Sequence, residues 1–120
     1  MSHDISTHIW ETKYRYYRDN IAVDEDIQAT WQRVALATAQ AENRDIAHWQ
    51  KQFYALLENF RFLPGGRILA GAGTDKDVTL FNCFVMGTIE DSMDGIFDAL
   101  KEAAITMQQG GGVGYDFSTL

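Results

Sequence analysis

Cysteine and basic residues are scarce in this chain of 120 residues. Cys83 is the single cysteine, so no disulfide can form within the chain. This is typical of a reducing compartment, and any two-thiol chemistry must recruit a second sulfur from elsewhere. Lys and Arg number 10 against 17 Asp and Glu, which gives a formal net charge of −7. We therefore predict no basic face for binding the phosphate backbone of a nucleic acid.

Long apolar runs and metal-ligand spacings are absent as well. Apolar stretches extend over only a few residues, far below the roughly 20 that cross a bilayer, and residues 1–7 lack a signal-peptide pattern. We expect no membrane partner and a cytoplasmic location. The three histidines show no metal-ligand spacing with Cys83, so no metal site is predicted. With 46% hydrophobic and 22% charged residues, the composition is that of a folded protein.

The first sixty residues contain neither glycine nor proline, whereas all ten glycines and Pro64 follow Phe60. Apolar residues at spacings of three and four predict a helix over 24–43, entered through the acidic residues 24–26. A second helix is predicted from a cap at Asp45 to Phe60, ended by Pro64 and Gly65. A shorter helix is predicted over 9–17. The first half therefore reads as an all-α domain.

The pattern of the second half is that of an α/β protein. The apolar run at 79–86 predicts a central strand that is covered on both faces. Carboxylates and a hydroxyl at 90–94 precede a helical pattern, which predicts a helix over 92–109. The glycines at 110–114 then read as a turn into a second strand. The expected unit is β-α-β with a right-handed parallel crossover.

Four features could carry chemistry, and each has a structural alternative. Cys83 is either an inert core residue or a reactive thiol. The segment 110–114 is either a tight turn or a set of backbone N–H groups that bind an anion, although it fits neither GxGxxG nor a P-loop. Residues 90–94 either cap a helix or offer carboxylates to ribose hydroxyls. The glycine-rich stretch 64–74 either crosses between domains or lines a binding surface.

Four motifs occur in a specific order: NFRFLPGGRIL at 59–69, Asn82-Cys83, DSMD at 91–94 and GGVGYDFS at 111–118. In this order and spacing the chain resembles the N-terminal part of the catalytic subunit of ribonucleotide reductase, most closely the adenosylcobalamin-dependent (class II) branch. The resemblance extends over nearly all of residues 10–120 and includes Trp31 and Arg33. It implies an N-terminal helical domain over 1–75, followed at 76–120 by the first β-α-β elements of a ten-stranded α/β barrel.

The resemblance also implies roles for individual residues. Family members reduce the ribonucleotide 2′-hydroxyl after a cysteine thiyl radical removes the 3′ hydrogen, and a cysteine pair becomes a disulfide. By resemblance, Cys83 is the first cysteine of that pair. The substrate-contact positions are Asn82, Gly111 and Gly112. The positions that bind a deoxynucleotide or ATP effector are Asp91, Ser92 and Met93. Where related enzymes often carry a hydroxyl residue that touches substrate phosphate, this chain has Gly66, so backbone N–H groups would have to replace that contact.

Several partners are implied on the same ground. They are a ribonucleotide substrate, adenosylcobalamin, a thioredoxin-like reductant, the rest of the reductase chain and a second copy in a homodimer. The radical-bearing cysteine, the second reducing cysteine and most of the cobalamin site belong to later barrel strands of the family. We therefore expect a segment of a longer or split enzyme that is inactive alone. The alternatives are a non-catalytic module for effector binding or assembly, and a helical interaction domain with an unstructured appendage.

Overall fold

The computed structural model describes residues 4–120. The chain divides into two compact units, of which one ends at Lys76 and the other begins at Asp77. None of the helices in the described part of the chain combines the length and apolar character needed to span a membrane.

The first unit is built from helices and one small hairpin. The helices are α1 (Ile5–Ile9), α2 (Ile27–Ala39), α3 (Ile46–Leu57) and α4 (Gly66–Gly71), with a π-helical turn at Trp10–Tyr14 and a 3-10 turn at Glu58–Phe60. Strands β1 (Tyr17–Arg18) and β2 (Ile21–Ala22) pair antiparallel. Asp19 and Asn20 between them both have positive φ, as a two-residue hairpin turn requires.

The core of this unit lies where α2 meets α3 and α4. Trp31 is 5% exposed and contacts Tyr54 and Phe60 edge-on, with ring centroids 6.4 Å and 5.3 Å apart. The core cluster comprises Trp31, Val34, Ala35, Leu57, Leu69 and Ala72. The apolar spacing of the first half therefore does define the buried face of α2, but it brings only Leu57 of α3 into full burial.

Helix boundaries differ from those predicted, and each difference has a local cause. Helix α2 begins at Ile27 because the side chain of Asp26 accepts a hydrogen bond from the Ala29 N–H, so 24–26 lie outside it. Asp45 precedes α3 but makes no side-chain cap. Helix α3 ends at Leu57, well before Pro64, since Asn59 and Phe60 take up positive φ. The predicted helix over 9–17 is instead α1 and the π-helical turn, and Tyr17 lies in β1.

Residues 64–74 form part of the packed unit and are not a plain crossing between domains. They contain α4, whose Leu69 is only 6% exposed and belongs to the core. Gly73, just after this helix, has φ +72, and a Cβ there would lie 2.9 Å from Cγ of Arg33. Glycine at 73 therefore permits both the left-handed backbone and the close approach to α2.

A buried ion pair, Asp24 with Arg33, joins several segments of the unit. Their side chains are 3% and 9% exposed, and Arg33 Nη2 lies 2.8 Å from Asp24 Oδ2. Asp24 also accepts hydrogen bonds from the Thr30 hydroxyl at 2.7 Å and the Tyr16 N–H at 3.1 Å. Burial opposes ionisation of Asp24, but the hydrogen bonds from Arg33 and Thr30 outweigh it and hold the pKa of this carboxyl below its ordinary value.

We expect acid to weaken this unit through Asp24. Because the pKa is depressed in the folded state, the unfolded chain binds more protons near the ordinary value of 3.8. The stabilisation is therefore complete above that value and is lost as the pH falls through the folded-state pKa. An NMR titration of the Asp24 carboxyl carbon checks this, and a midpoint above 3.8 would contradict it.

The second unit contains one helix and two very short strands. Helix α5 (Met93–Gln108) connects β3 (Cys83–Phe84) to β4 (Gly112–Val113), and the two strands pair in parallel. Parallel pairing across a helix confirms the β-α-β expectation. The helix lies within one residue of its predicted ends, since Ser92 caps it as its sequence suggests. This order also argues against an unstructured appendage after the helical half.

The predicted central strand over 79–86 is wrong in length and in burial. Only Cys83 and Phe84 are paired, and each contacts a single neighbouring strand. Phe81 is 71% exposed and Val85 102%. A run of apolar residues indicates a strand whose two faces are both covered, but the described residues leave Phe81 and Val85 largely exposed.

Candidate functional site

Two predicted motifs, Asn82-Cys83 and Gly111-Gly112, come together across the parallel strand pair. Cys83 is in register with Gly112, and Phe84 with Val113. The Gly112 N–H donates a 2.8 Å hydrogen bond to the Asn82 carbonyl. A Cβ at Gly112 would lie 3.2 Å from Cys83 Sγ. The thiol and the glycine turn are therefore direct neighbours, although their positions are far apart in the sequence.

Close packing explains the glycine at position 111. This residue is buried, and an added Cβ would lie 2.6 Å from the Phe84 ring and 2.9 Å from Cγ2 of Thr106. Gly110 before it has φ +92. The turn from α5 into β4 therefore requires glycine to reverse the backbone and to let β4 approach β3.

The backbone N–H groups of this turn are already engaged inside the unit. Gly110 donates to the Met107 carbonyl at 3.0 Å, Gly111 to Thr106 at 3.0 Å and Gly112 to Asn82 at 2.8 Å. These three donors therefore do not form an anion cradle. A nucleotide that approaches residues 111 and 112 would meet a close, side-chain-free backbone and the adjacent thiol.

We expect Gly111→Ala to destabilise the second unit by about 1–3 kcal/mol, because the methyl group cannot fit against the Phe84 ring without displacing it. The matched control is Gly114→Ala, where nothing lies within 4 Å of the added Cβ. We expect the control to change stability by less than about 0.5 kcal/mol. Thermal unfolding of the variants followed by calorimetry measures both effects, and equal destabilisation would contradict the packing account.

Cys83 is solvent-exposed, which corrects the expectation that it is held inside a buried strand. It is also not an inert core cysteine. The structure therefore places a free thiol beside the glycine turn, but the residues described here do not enclose it. A hydrogen-atom donor to a carbon radical needs a site that excludes water. Such an enclosure would have to come from polypeptide outside these residues.

The segment before α5 combines a structural residue with two exposed ones. The Ser92 hydroxyl accepts a 3.0 Å hydrogen bond from the Gly95 N–H, and the Ser92 N–H donates to the Glu90 carbonyl at 2.8 Å. Ser92 therefore carries the capping role that was the structural alternative. Asp91 and Met93 are exposed, and Asp91 accepts no side-chain hydrogen bond from residues 4–120. These two are free to contact a ligand.

An open cavity of about 570 Å³ lies beside these motifs and was not anticipated from the sequence. Glu90 and Gly114, from two of the segments that the sequence singled out, line it, whereas Asn82, Cys83, Gly111, Gly112 and residues 91–93 do not. Its acidic lining residues are Glu90, Asp98, Glu102 and Asp116. The Ser118 backbone N–H donates to Asp116 at 2.9 Å and holds the pKa of that carboxyl below its usual range. Acidic side chains in this number disfavour direct binding of a phosphate group in the cavity.

Metal ligation receives no support within residues 4–120. No group of three or more His, Cys, Asp or Glu side chains in that part of the chain is placed to hold a metal ion.

The chain matches two family models. One is the ribonucleotide reductase all-alpha domain, over residues 2–77, and the other is the ribonucleotide reductase barrel domain, over residues 81–120. These matched ranges follow the division of the structure after Lys76 closely.

Curated relatives carry related names. The chain is 44% identical over 87 residues to the vitamin B12-dependent ribonucleoside-diphosphate reductase of Mycobacterium tuberculosis, covering 72% of this chain and 12% of that protein. It is 35% identical over 81 residues to the enzyme of the same name from Thermoplasma acidophilum, covering 68% and 10%. It is 35% identical over 91 residues to the ribonucleoside-diphosphate reductase subunit alpha of Helicobacter pylori, covering 76% and 11%. The chain thus spans about a tenth of the length of these relatives.

Proposed function

Because this chain belongs to the ribonucleotide reductase family, with the all-α domain followed by the start of the barrel domain, we propose that it supplies the first reducing cysteine and nucleotide-contact segments of such an enzyme. We assign residues 1–75 to the helical domain and residues 76–120 to the barrel. The observation that supports the proposal is the register of Cys83 with Gly112 across the strand pair, next to the carbonyl of Asn82. Two motifs that the resemblance assigns to the substrate are thereby adjacent.

The proposed role of Cys83 is to deliver reducing equivalents to the ribose. In the net reaction the C2′–O bond breaks, a C2′–H bond forms and the oxygen leaves as water. The Cys83 thiol and a second thiol from the remaining barrel each lose a hydrogen and join as a disulfide, so two electrons pass to the sugar. A thioredoxin-like dithiol then reduces the disulfide. Cys83 suits this role because its Sγ lies beside a backbone without side chains, where a sugar can approach it closely.

The helical unit makes a separate contribution in this proposal. The segment around Gly66, by resemblance a substrate-phosphate contact, is held in α4 and its preceding turn. Gly66 offers backbone in place of a side-chain hydroxyl. The Tyr14 ring lies over it, with the phenol oxygen 3.3 Å from the position that a Cβ would occupy.

Cobalamin dependence is proposed from the names of the relatives in M. tuberculosis and T. acidophilum. When bound, adenosylcobalamin would supply the radical that starts the reaction. No residue of this chain is assigned to binding it. A cytoplasmic location, a homodimer and a thioredoxin-like reductant complete the proposal.

A chimera tests the proposal directly. Residues 1–120 would replace the corresponding segment of the M. tuberculosis reductase, and the hybrid would be assayed for conversion of ribonucleotides to deoxyribonucleotides. We expect cobalamin-dependent turnover. A folded hybrid without turnover would contradict the proposal, as would a reading frame and neighbouring genes that encode no barrel continuation with further cysteines.

Two substitutions distinguish the proposed effector role of Asp91 from the capping role of Ser92. In the chimera, Asp91→Asn should abolish the response of substrate choice to deoxynucleotides, because the amide no longer offers two acceptor oxygens to the ribose hydroxyls. Ser92→Ala should cost about 1 kcal/mol of stability through the lost cap. Assays with and without effector measure the first, and calorimetry measures the second. An Asp91→Asn enzyme that keeps its full effector response would contradict the assignment.

A non-catalytic module that binds effectors is the second candidate, favoured by the exposure of Asp91 and Met93. It predicts that the 120-residue chain alone is monodisperse and binds deoxynucleoside triphosphates saturably. Calorimetric titration tests this, and an aggregating sample without saturable binding would reject it.

A further inference from the structure

The side chain of Arg33 connects three segments of the helical unit. Its guanidinium pairs with Asp24, donates to the Tyr14 carbonyl at 3.3 Å, and donates to the Leu69 and Ala72 carbonyls at 3.0 Å and 2.6 Å. Leu69 lies in α4 and Ala72 directly follows it. One buried cation therefore holds the carboxyl-terminal end of α4 and the π-helical turn that contains Tyr14.

Both of these attachments lead to Gly66. Helix α4 begins at Gly66 and is only six residues long. Because so short a helix moves as a rigid piece, the hydrogen bonds from Arg33 to its carboxyl-terminal end also hold Gly66 in position. Tyr14, bound to Arg33 through its backbone carbonyl, covers Gly66 with its ring. Gly66 is consequently held from its own helix and from the neighbouring turn by the same side chain.

We propose that Arg33, oriented by Asp24, is a positioning residue that sets the orientation of the segment around Gly66 toward the nucleotide substrate. This inference rests on the proposed function, which brings that segment to the substrate phosphate. The geometry requires arginine. A planar guanidinium donates at once to a carboxylate and to carbonyls of two segments, whereas a lysine ammonium has three donors on one atom.

The close approach at Gly73 supports the same role. A Cβ at this residue would lie 2.9 Å from Arg33 Cγ and 3.1 Å from the Arg33 carbonyl oxygen. The chain leaving α4 is therefore seated directly on the stem of the arginine. Few alternative orientations of α4 would keep both this contact and the two carbonyl hydrogen bonds.

The test is Arg33→Lys in the chimera, with Arg18→Lys as the matched control in the exposed pair with Asp75. Misplacement of a substrate-binding segment by about 1 Å lowers kcat/KM by on the order of 10²-fold. We expect this loss to appear as a higher KM. The number of active sites is counted by single-turnover disulfide formation, and kcat per active site should stay within about twofold of the unsubstituted chimera. A merely structural role would reduce the number of active sites and leave KM unchanged, which would overturn the proposal.

Hydrogen exchange on the 120-residue chain gives an independent readout. The Leu69 and Ala72 amides donate to the Gly65 and Ile68 carbonyls, and both should exchange faster in Arg33→Lys while the amides in the middle of α2 keep their protection. Equal acceleration in α2 and α4, or none in α4, would overturn the proposal. An inactive unsubstituted chimera would count against the proposed function instead, and the exchange result would then decide the role of Arg33 in holding α4.

Discussion

Replacement of Cys83 by serine is expected to reduce dithiol-driven turnover of the chimeric reductase to background while nucleotide binding is retained. A serine hydroxyl has nearly the same size but cannot form the disulfide that accompanies reduction of the ribose. Because Cys83 is exposed and no core residue, the substitution should not disturb folding. Multiple-turnover assays with a dithiol reductant, together with equilibrium binding of the ribonucleotide, measure the two properties separately.

The control for this experiment is Gly114→Ala, a change directly after β4 that meets no neighbouring atom within 4 Å. It should leave turnover near that of the unsubstituted chimera. Undiminished turnover of Cys83→Ser would show that the thiol is not a reductant, and the register of Cys83 with Gly112 would then have only structural meaning. Loss of nucleotide binding in Cys83→Ser would point to a packing role at this position.

Replacement of Asp24 by asparagine should destabilise the helical unit by about 3–5 kcal/mol, since it leaves Arg33 buried without its counter-charge. The asparagine amide would also present donors where Thr30 and Arg33 require an acceptor. Urea unfolding of the 120-residue chain followed by circular dichroism measures the effect. If the variant is unfolded without urea, the same comparison in the chimera yields the difference in melting temperature.

An exposed ion pair in the same unit provides the comparison. Arg18 Nε lies 3.3 Å from Asp75 Oδ2, and the two side chains are 60% and 59% exposed. Their interaction is screened by solvent, so Arg18→Gln should lower the stability of the unit far less than Asp24→Asn does. Similar losses for Asp24→Asn and Arg18→Gln would contradict the view that burial makes the first pair indispensable.

Local signals predicted part of this structure well. Helix α5 was placed to within one residue because its cap, Ser92, and its apolar face are both encoded inside the segment. The end of α3 was missed because Pro64 is the obvious breaker in the sequence, while the actual end depends on left-handed conformations at Asn59 and Phe60. Asn59 is a residue type that adopts this conformation readily, but Phe60 is not, and the proline was given more weight.

Tertiary contacts account for what the sequence could not predict. The glycines of residues 64–74 suggested either a crossing between domains or a binding surface. A helix, α4, forms there instead, with Leu69 buried and the Leu69 and Ala72 carbonyls bound by Arg33. Asp24 was read as part of an acidic helix entry, whereas it is a buried partner of a residue nine positions later. No helical spacing rule links these two residues, since Asp24 precedes α2.

The candidate site shows the same contrast. The proximity of Cys83 to the glycine turn followed from the β-α-β pattern, because parallel pairing brings the two strands side by side. The exposure of Cys83 and the internal engagement of the turn's N–H groups could not be read from the pattern. The exposure of Cys83 depends on which residues cover the strands. The engagement of the N–H groups depends on which carbonyls lie within hydrogen-bond distance of the turn.

The division after Lys76 places the tryptophans in one unit and the single thiol in the other. All three tryptophans precede it and the single thiol follows it. Tryptophan fluorescence therefore follows the helical unit alone. Cys83 is exposed in the folded chain, so a thiol-reactive probe attached there reports on the other unit. Loss of order in either unit can then be timed in one sample, which distinguishes sequential from concerted unfolding.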